Sequence, residues 1–437
     1  MAAGRRTVLA GAAAVAIARP AAAADVDVAI VGAGVAGLAA ARALVAARLR
    51  VVVLEARDRI GGRVVTDRSV LGLPFDLGAQ WIEAGRINPA MAMVREAGGK
   101  PVKDKETGTL HLDGKELERE DYARFEKYSR DVGRRLESVL KEVPDMAIGR
   151  AVFANDPLER LALALMGPLD AGVEPQIHSA RDWQRQPENE PQFAFEEGLG
   201  ELVRRWGGGL PVRLGTRALR LDSTGPEIVI QLAQGEVRAR SAIVTVSTGV
   251  LAAGSLRFAP ALSDARQDAI RHVPMGLLNK VGLAFNRRPM DVAPSQTASG
   301  LTKAGVPFDA VLRPFGRDMA VVFMGGATAQ AMEREGTQAA IAHALGALVE
   351  THGGGVRAGF ARAQVTRWGQ DPLALGAYSA ALPGHVDKRR QLARPHHDRV
   401  FFAGEATDPV WAARVGGAYA SGLRAAREAQ EFLKRVR

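Results

Sequence analysis

A glycine-rich turn between two apolar runs constrains the fold of this chain more than any other feature. Residues 26–31, VDVAIV, are rich in β-branched side chains and predict a short buried strand. They lead directly into GAGVAG at 32–37 and then into an alanine- and leucine-rich helical pattern. A second β-branched run, 51–54, ends at Glu55. This order of strand, glycine turn, helix, strand and acid is typical of a unit that binds a dinucleotide.

Each position of the turn has a physical task in such a unit. Gly32 permits the tight turn, Gly34 lets the backbone approach a pyrophosphate, and Gly37 lets the helix pack closely on the strand. The first helical residues, Val35 and Ala36, present free N–H groups and the positive end of the helix dipole to phosphate. We therefore predict that these five residues form the phosphate-binding part of a cofactor site.

Glu55 indicates which dinucleotide fits. A carboxylate at the end of the second strand accepts hydrogen bonds from both ribose hydroxyls and repels a 2′-phosphate, so NADP is disfavoured. The motif by itself leaves FAD and NAD open as the cofactor.

A chain of 437 residues is also expected to hold two or three domains, so this dinucleotide unit accounts for only part of it.

Composition argues against several other classes of protein. The chain contains no cysteine, which removes disulfides, thiolate metal sites, cysteine nucleophiles and a cysteinyl bond to a cofactor. The net charge is +10, but the arginines are scattered and no basic run is interleaved with aromatic residues. We therefore expect no nucleic-acid partner. No cluster of ligands indicates a metal, and the pair His396–His397 is expected to be solvated at the surface.

The first 24 residues have the pattern of a cleaved export signal. Arg5 and Arg6 precede a short apolar stretch, and small residues at 22–24 precede Asp25. The apolar stretch is too short to span a bilayer as a helix, so no stable membrane insertion is expected after cleavage. The adjacent arginines favour the twin-arginine export machinery as a transient partner and predict a periplasmic or secreted protein. If the segment is instead an unprocessed alanine-rich leader, the protein is cytoplasmic.

Two further segments favour FAD over NAD. LEARDRIGGR at 54–63 and DLGAQWI at 76–82 add a second glycine pair and several arginines, which suit a long diphosphate cofactor. These segments resemble the GG motif of the flavin-dependent amine oxidases. That family includes monoamine oxidases, polyamine oxidases, lysine-specific histone demethylases and L-amino acid oxidases. The resemblance implies non-covalent FAD and contacts to it from Ala56, Arg57, Gly61, Gly62, Arg63, Gly78, Ala79, Gln80 and Trp81.

The same resemblance recurs in the middle of the chain. FEEGLGEL at 195–202 is similar to a helix start that follows the family's first substrate insertion. AIVTVSTGVL at 242–251 is similar to its second cofactor segment, although the family usually has Pro-Leu where this chain has Ser247-Thr248. The resemblance also implies a backbone contact between Ala218 and the adenine.

Lys280 lies in LLNKVGLAF, whose apolar residues alternate with the period of a half-buried strand. A lysine at the start of a strand that extends to solvent is one interpretation. The segment also resembles that of histone demethylases and polyamine oxidases, whose lysine holds a water against flavin N5. The resemblance therefore implies that Lys280 is catalytic and assists the reaction of the reduced flavin with O2.

A tryptophan and a tyrosine follow in the pattern W…DP…GAY, which this chain has from Trp368 to Tyr378. In the family, the tryptophan belongs to the cofactor site and the tyrosine forms one wall of an aromatic cage in front of the flavin. An aromatic face suits an amine because it tolerates both the neutral and the cationic form. Tyr378 is therefore a candidate for both catalysis and substrate binding.

The C-terminal segment RVFFAGEATD at 399–408, with the helix after it, resembles the family's third cofactor motif. It implies contacts to FAD from Gly404, Glu405, Arg414, Val415 and Ala418. Arg414 stands where monoamine oxidases have the second tyrosine of the cage. An arginine there is a candidate to receive a substrate carboxylate.

The spacing of these motifs implies a discontinuous FAD domain interrupted by two insertions, and the resemblance implies an α/β fold of the monoamine oxidase kind. A Rossmann-like FAD-binding domain of the GR2 type would comprise 25–82, 193–280 and 394–437. An inserted α+β substrate-binding domain would comprise 83–192 and 281–393, with one helix over 327–350. The substrate pocket is expected between the cofactor and the inserted domain.

The activity implied by the resemblance is oxidation of the C–N bond of a primary amine or a polyamine. Hydride passes to flavin N5, O2 reoxidises the flavin to give hydrogen peroxide, and the imine hydrolyses to an aldehyde. Glu83 occupies a position that resembles a tunnel-mouth acid of some polyamine oxidases and would attract a second ammonium. Arg414 instead favours an L-amino acid oxidase. A nicotinamide-dependent dehydrogenase and a flavoprotein that binds ligands without turnover are more distant alternatives, and the number of subunits is open.

Overall fold

The computed structural model describes residues 24–104 and 108–436. The predicted export signal therefore lies outside the described residues, apart from Ala24. Within the described ranges, no helix is both long enough and apolar enough to cross a bilayer.

The described part of the chain alternates between strands and helices. Its strands are β1 (Val26–Val31), β2 (Val51–Leu54), β3 (Thr66–Asp67), β4 (Phe75–Asp76), β5 (Val102–Lys103), β6 (Gly108–Leu112), β7 (Lys115–Glu116), β8 (Phe193–Ala194), β9 (Val212–Arg213), β10 (Ala218–Asp222), β11 (Ile228–Leu232), β12 (Glu236–Val244), β13 (Arg257–Ala259), β14 (Met275–Gly276), β15 (Leu278–Phe285), β16 (Gln296–Leu301), β17 (Pro307–Leu312), β18 (Met319–Gly325), β19 (Phe360–Val365), β20 (Tyr378–Ser379) and β21 (Val400–Phe402). Its helices are α1 (Val35–Ala46), α2 (Met91–Glu96), α3 (Arg119–Glu142), α4 (Ile148–Ala151), α5 (Pro157–Met166), α6 (Ala180–Arg185), α7 (Leu199–Gly207), α8 (Thr248–Ala252), α9 (Asp264–His272), α10 (Gly326–Glu335), α11 (Thr337–His352), α12 (Gly355–Gly359), α13 (Lys388–Ala393) and α14 (Val415–Arg435).

The first sheet is built around the dinucleotide unit. Its order is β13-β10-β11-β12-β1-β2-β9, and β21 also pairs with β12. Strand β1 is parallel to both β2 and β12, and it is covered on both faces. Val28 and Ile30 belong to the apolar layer that contains helices α1 and α14, whereas Ala29 and Val31 belong to the layer on the other side. This burial on both faces explains why β1 is almost entirely apolar.

The second sheet has the order β19-β15-β18-β17-β16-β6-β7. All its pairs are antiparallel except β16 with β6. One face packs against helices α10 and α11 through residues such as Val281 and Leu283. The opposite face carries Val321 and Phe323 and turns toward the dinucleotide unit.

The strands of the two sheets come from different parts of the chain. The strands of the first sheet lie within 26–259 and 400–402, and those of the second within 108–116 and 278–365. Strand β15 begins at Leu278, before the predicted boundary after residue 280, so Lys280 belongs to the second sheet. In the first insertion, α3 buries Val132, Leu136 and Leu140 at helical spacing, while most of its other side chains are charged or polar.

Two local expectations are wrong. The single helix expected over 327–350 is two helices, because Gly336 at φ +99° ends α10 and begins α11. Few residues other than glycine adopt that conformation. The second error concerns His396, which is buried against Phe258 rather than solvated, while its neighbour His397 is exposed.

Candidate active site

One cavity of about 580 Å³ runs from the dinucleotide unit to the second sheet. Its lining contains every residue predicted to contact cofactor or substrate, with the single exception of Gly37. Segments separated by hundreds of residues therefore share one pocket. Within the described residues, no group of three or more histidine, aspartate or glutamate side chains is arranged to hold a metal ion.

Gly34 and Gly37 have different tasks at the start of α1. A Cβ added to Gly34 would meet no protein atom within 4 Å, because this position opens into the cavity. A Cβ added to Gly37 would lie 1.9 Å from the carbonyl oxygen of Gly32, so the missing side chain of Gly37 permits close packing of the helix. Gly34 leaves room for a ligand, and Gly37 leaves room for the protein itself.

Glu55 holds the two loops of the dinucleotide unit in place. Its carboxylate is buried and accepts from the backbone N–H of Ala33 at 2.7 Å and of Arg57 at 2.8 Å. Each oxygen keeps a further lone pair, and the residue lines the cavity. The predicted ribose contact is compatible with this geometry.

Two arginines of the second glycine motif join distant segments. Arg57 donates to both carboxylate oxygens of Asp371 at 2.8 and 2.9 Å, and thereby ties this loop to the W…DP…GAY segment. Arg63 donates to Glu405 at 2.9 Å and to the carbonyl oxygen of Ala377 at 2.8 Å. Both arginines also line the cavity, where their charge suits a diphosphate.

The carboxylate of Glu405 is engaged by the protein. It accepts from Arg63, from the hydroxyl of Ser379 at 2.6 Å and from the backbone N–H of Ala413 at 3.0 Å. Burial alone would raise its pKa, but Arg63, Ser379 and Arg389 together hold the pKa of Glu405 below its ordinary value. Glu405 is therefore charged, and its hydrogen bonds connect its own segment to those of Arg63 and Ser379.

The residues around the dinucleotide unit fit FAD. Helices α1 and α14 both begin at the cavity, and neither has a side-chain cap on its first N–H groups. Free N–H groups at a helix start bind anionic oxygens. Together with Arg57, Arg63 and the space beside Gly34, they form a donor set that suits a pyrophosphate and the negatively charged edge of a flavin.

Lys280 is buried at the edge of this cavity, with only 5% of its surface exposed. The alternative that it extends to solvent is therefore wrong. Its ammonium donates to the carbonyl oxygens of Asp76 at 3.0 Å and Gly78 at 2.7 Å and to Oε1 of Gln80 at 3.1 Å. Burial lowers the pKa of Lys280 to about 8, although the negative charges of Asp76 and Glu83 oppose the shift.

Aromatic side chains surround Lys280. The rings of Trp81 and Phe323 stack with centroids 5.6 Å apart, and the ammonium lies 5.2 Å from the Phe323 ring and 6.0 Å from the Trp81 ring. Tyr378 is half-buried, and its hydroxyl donates to the backbone oxygen of Asp170. Burial raises the pKa of Tyr378 well above its ordinary value, so the phenol remains neutral. The cavity thus has the apolar faces that an amine cage requires.

A polar wall lies beside Tyr378 and consists of Glu83, Asp170, Gln186, Asn189 and Arg414. Arg414 donates through Nη2 to Oδ1 of Asn189 and to Oε1 of Gln186. The other terminal nitrogen of Arg414, Nη1, is buried without a hydrogen-bond partner among the described residues, and so is Oε2 of Glu83. The polar wall therefore presents to the cavity one hydrogen-bond acceptor without a partner, Oε2 of Glu83, and one donor without a partner, Nη1 of Arg414.

The carboxylate of Asp309 lies on the same face of the second sheet as Lys280, two strands away. Lys280 on β15 is opposite Phe323 on β18, which is in turn opposite Asp309 on β17. Residues directly opposite each other share a face, so all three side chains point to the cavity, which they line. Two strand spacings separate Asp309 from Lys280, roughly 10 Å. Asp309 accepts from Ser299 at 2.7 Å and lines the cavity together with Asp104.

The comparisons with known proteins identify the family. Residues 35–430 match the model of a family described as flavin containing amine oxidoreductase. The chain belongs to this family. As a family member, it is an oxidoreductase that acts on amines, with a flavin as its cofactor. The nicotinamide-dependent alternative no longer stands.

Curated relatives of this family member are polyamine oxidases and demethylases. It is 29% identical to polyamine oxidase 2 of Arabidopsis thaliana over 92% of this chain and 87% of that protein. It is 30% identical to lysine-specific histone demethylase 1 homolog 2 of Oryza sativa subsp. japonica over 92% of this chain and 56% of that protein. The chain therefore spans about half the length of that demethylase.

A solved structure has the same fold. A structure of wild-type putrescine oxidase bound to putrescine superposes with a TM-score of 0.77 at 19% identity, over 93% of this chain and 99% of that chain. At this identity the likeness concerns the fold, and it confirms the predicted combination of a Rossmann-like domain and an inserted substrate-binding domain.

Several lining residues of this amine oxidoreductase were not predicted from its sequence. Asp309 interrupts the apolar pattern PFDAVL, and an acid inside a strand pattern was a signal that could have been used. Asp170, Gln186 and Asn189 lie outside regular elements, where a single sequence gives no such signal. Ser247, the departure from Pro-Leu, caps α8 by accepting from Val250 N–H and donates to Ala374 O at 2.6 Å.

Proposed function

We propose that this protein binds FAD without a covalent bond and oxidises an amine that carries a second cationic group, a diamine or a polyamine. The observation that carries the proposal is the single cavity, which is lined by the dinucleotide motifs at one end, by Lys280 and Tyr378 between, and by carboxylates on two sides. The absence of cysteine in the chain supports a non-covalent cofactor.

FAD, when bound, supplies the redox chemistry: it takes a hydride from the carbon beside the amine nitrogen and passes the electrons to O2, while the imine hydrolyses to an aldehyde. The protein supplies orientation and a water-poor pocket. We propose that Tyr378, Trp81 and Phe323 hold the apolar part of the amine against the cofactor.

We further propose that Lys280 orients a water beside the cofactor. Its three hydrogen-bond partners include only one side-chain atom, Oε1 of Gln80, which also makes the longest contact. A water would therefore replace Gln80 with the least disturbance, because the two carbonyl oxygens are fixed in the backbone. Lys280 then keeps its position while its third hydrogen bond is given to the water.

The charges of the cavity favour a substrate with two cationic groups. Its lining includes the carboxylates Glu83, Asp104, Asp170 and Asp309, against the cations Lys280 and Arg414 away from the dinucleotide motifs. Burial raises the pKa of Glu83, Asp170 and Asp309, and a bound dication would stabilise the charged form of these carboxylates. The polyamine oxidases among the relatives, and the putrescine that one structural neighbour binds, support the same class of substrate.

The L-amino acid alternative is less compatible with the wall. A substrate carboxylate at Arg414 would also face Glu83 and Asp170, which lie close enough for the charge of Arg414 to lower the pKa of each, and like charges repel. Asn189 and Gln186 already engage Nη2 of Arg414, which leaves Nη1 as its terminal nitrogen without a partner among the described residues. We therefore rank the diamine and polyamine class above amino acids.

The experiment is an amine panel on purified holoenzyme. Monoamines, diamines, polyamines and L-amino acids are offered, and both anaerobic bleaching of the flavin band and hydrogen peroxide release are recorded. We expect the highest kcat/KM for diamines or polyamines. Bleaching by L-amino acids alone would reverse the ranking, and no bleaching by any amine would support a flavoprotein without turnover.

Export is a separate proposal. We propose that residues 1–24 direct the folded protein across the membrane by the twin-arginine route, on the sequence pattern of Arg5-Arg6, the apolar stretch and the small residues before Asp25. Replacing Arg5-Arg6 with Lys-Lys is expected to keep the protein inside the cell. Export of the Lys-Lys variant at the normal level would contradict this route.

A further inference from the structure

The polar wall beside Tyr378 contains an acid whose free oxygen has no partner. Oε2 of Glu83 is buried, lines the cavity and accepts no hydrogen bond from the described residues. Its backbone is fixed, because the carbonyl oxygen of Glu83 accepts from Nδ2 of Asn88 at 2.8 Å. A buried carboxylate oxygen without a donor is costly, so this atom points to a ligand that brings a hydrogen.

The environment of Glu83 favours receipt of a proton. Burial raises the pKa of Glu83 above its ordinary value, and the negative charge of Asp170 acts in the same direction, while Arg414 and Lys280 oppose the shift. A carboxyl with a raised pKa is a better proton acceptor than an ordinary one. Tyr378, whose phenol Glu83 also influences, stays protonated and uncharged.

An incoming substrate has a proton to lose. Amines arrive as ammonium ions at neutral pH, but an ammonium nitrogen has no lone pair with which to form an iminium when hydride leaves. Transfer from an ammonium to a carboxylate replaces two charges with two neutral groups, and a desolvated cavity favours this outcome. The nearby guanidinium of Arg414, with its unpartnered Nη1, further disfavours a cation at this place.

We propose that Glu83 is the proton acceptor that converts the bound ammonium of the substrate into the neutral amine. The N–H bond of the ammonium breaks, an O–H bond forms on the carboxylate of Glu83, and no electron is transferred in this step. The proton later balances the formation of hydrogen peroxide, because a hydride and O2 together give HO2⁻ and need one proton more. The inference rests on the proposed amine oxidation and assigns to Glu83 a role different from attraction of a second ammonium.

The first test counts protons without turnover. The ligand is a primary amine with no hydrogen on the carbon beside its nitrogen, which cannot be oxidised, and calorimetric titrations of the holoenzyme are compared in buffers of different ionisation enthalpy at neutral pH. We expect the wild type to release close to no proton to the buffer, because Glu83 keeps it. We expect Glu83→Gln, which preserves the shape of the side chain, to release close to one. Equal proton release by the two proteins would overturn the proposal.

The second test uses the pH profile of turnover with the best substrate of the amine panel. In Glu83→Gln only the neutral amine already present in solution reacts, so kcat/KM at pH 7 is expected to fall about 100-fold. The deficit is expected to vanish as the pH approaches the pKa of the substrate. A deficit of the same size at every pH would show that Glu83 only binds or supports the site. If no amine is oxidised by the wild type, the proposed function fails, whereas the proton count still tests Glu83.

Discussion

The ammonium of Lys280 lies 2.7 Å from the carbonyl oxygen of Gly78, which is 202 residues earlier in the chain. This hydrogen bond joins the second sheet to the loop that follows the second glycine motif. Since Asp76 at the end of β4 and Gln80 on the loop accept the other two hydrogens, the position of the lysine is set by the cofactor-binding part of the molecule.

The first prediction concerns the charge of Lys280. Burial lowers its pKa to about 8, so the side chain is charged below that pH and neutral above it. A positive charge stabilises the negative charge that develops on O2, so the rate of flavin reoxidation is expected to fall as pH rises through about 8. Lys280→Met is expected to retain FAD, to react about 100-fold more slowly with O2 at pH 7, and to show no such pH dependence. Stopped-flow reoxidation measures this, and an unchanged oxygen rate would remove the assigned role.

The second prediction separates cofactor binding from packing at two nearby glycines. Gly34→Ala adds a methyl group that meets no protein atom, at a backbone φ of −71° that alanine adopts freely. Its apoprotein stability is expected to stay within about 0.5 kcal/mol of the wild type, while FAD affinity falls about tenfold or more because the methyl keeps the pyrophosphate away from the N–H groups. Gly37→Ala, which clashes with Gly32, is expected to lose about 3 kcal/mol of stability. Denaturant unfolding and FAD titration distinguish the two variants, and tight FAD binding by Gly34→Ala would contradict the assigned contact.

The third prediction uses the row of residues across the second sheet. If Asp309 receives the second cation of a diamine, Asp309→Asn removes that charge pair and leaves the reacting end of the cavity intact. The KM for diamines is expected to rise about 30-fold, with little change in kcat. A monoamine of the same carbon chain serves as the control substrate, and its KM is expected to change less than twofold, on the scale of an ordinary surface effect. An equal rise for both substrates would assign Asp309 a structural role.

The fourth prediction concerns a buried ion pair behind Tyr378. Arg389 and Asp182 have exposed side-chain fractions of 0% and 1%, and the guanidinium also donates to Ser379, the neighbour of Tyr378. Arg389→Met leaves the Asp182 carboxylate uncompensated and is expected to cost about 3–5 kcal/mol of stability. Arg390→Met is the matched control, because Arg390 pairs with Asp387 at an exposed position, where a change of at most about 0.5 kcal/mol is expected. Similar losses in the two variants would contradict this account.

Sequence patterns were sufficient to predict those elements whose structure depends on residues close together in the chain. The turn between β1 and α1, the strand around Lys280 and the helix α14 depend on short-range periodicity and on glycine at positions where a side chain does not fit. The resemblance to a family added the cofactor and the assignment of distant motifs to one site. The break between α10 and α11 at Gly336 was not predicted, because a glycine inside an apolar helical pattern is compatible with either a continuous helix or two helices.

The sequence by itself determined that this chain holds a dinucleotide unit, a buried strand with Lys280 and a C-terminal motif with Glu405. Each of these features depends on residues that are neighbours in the chain. Only the tertiary structure decided which charges meet. Glu83 and Arg414 are more than 300 positions apart, and Asp309 reaches the cavity because three antiparallel strands pair in one register. Long-range pairing and burial set their partners and their desolvation, and neither quantity is encoded in a local pattern.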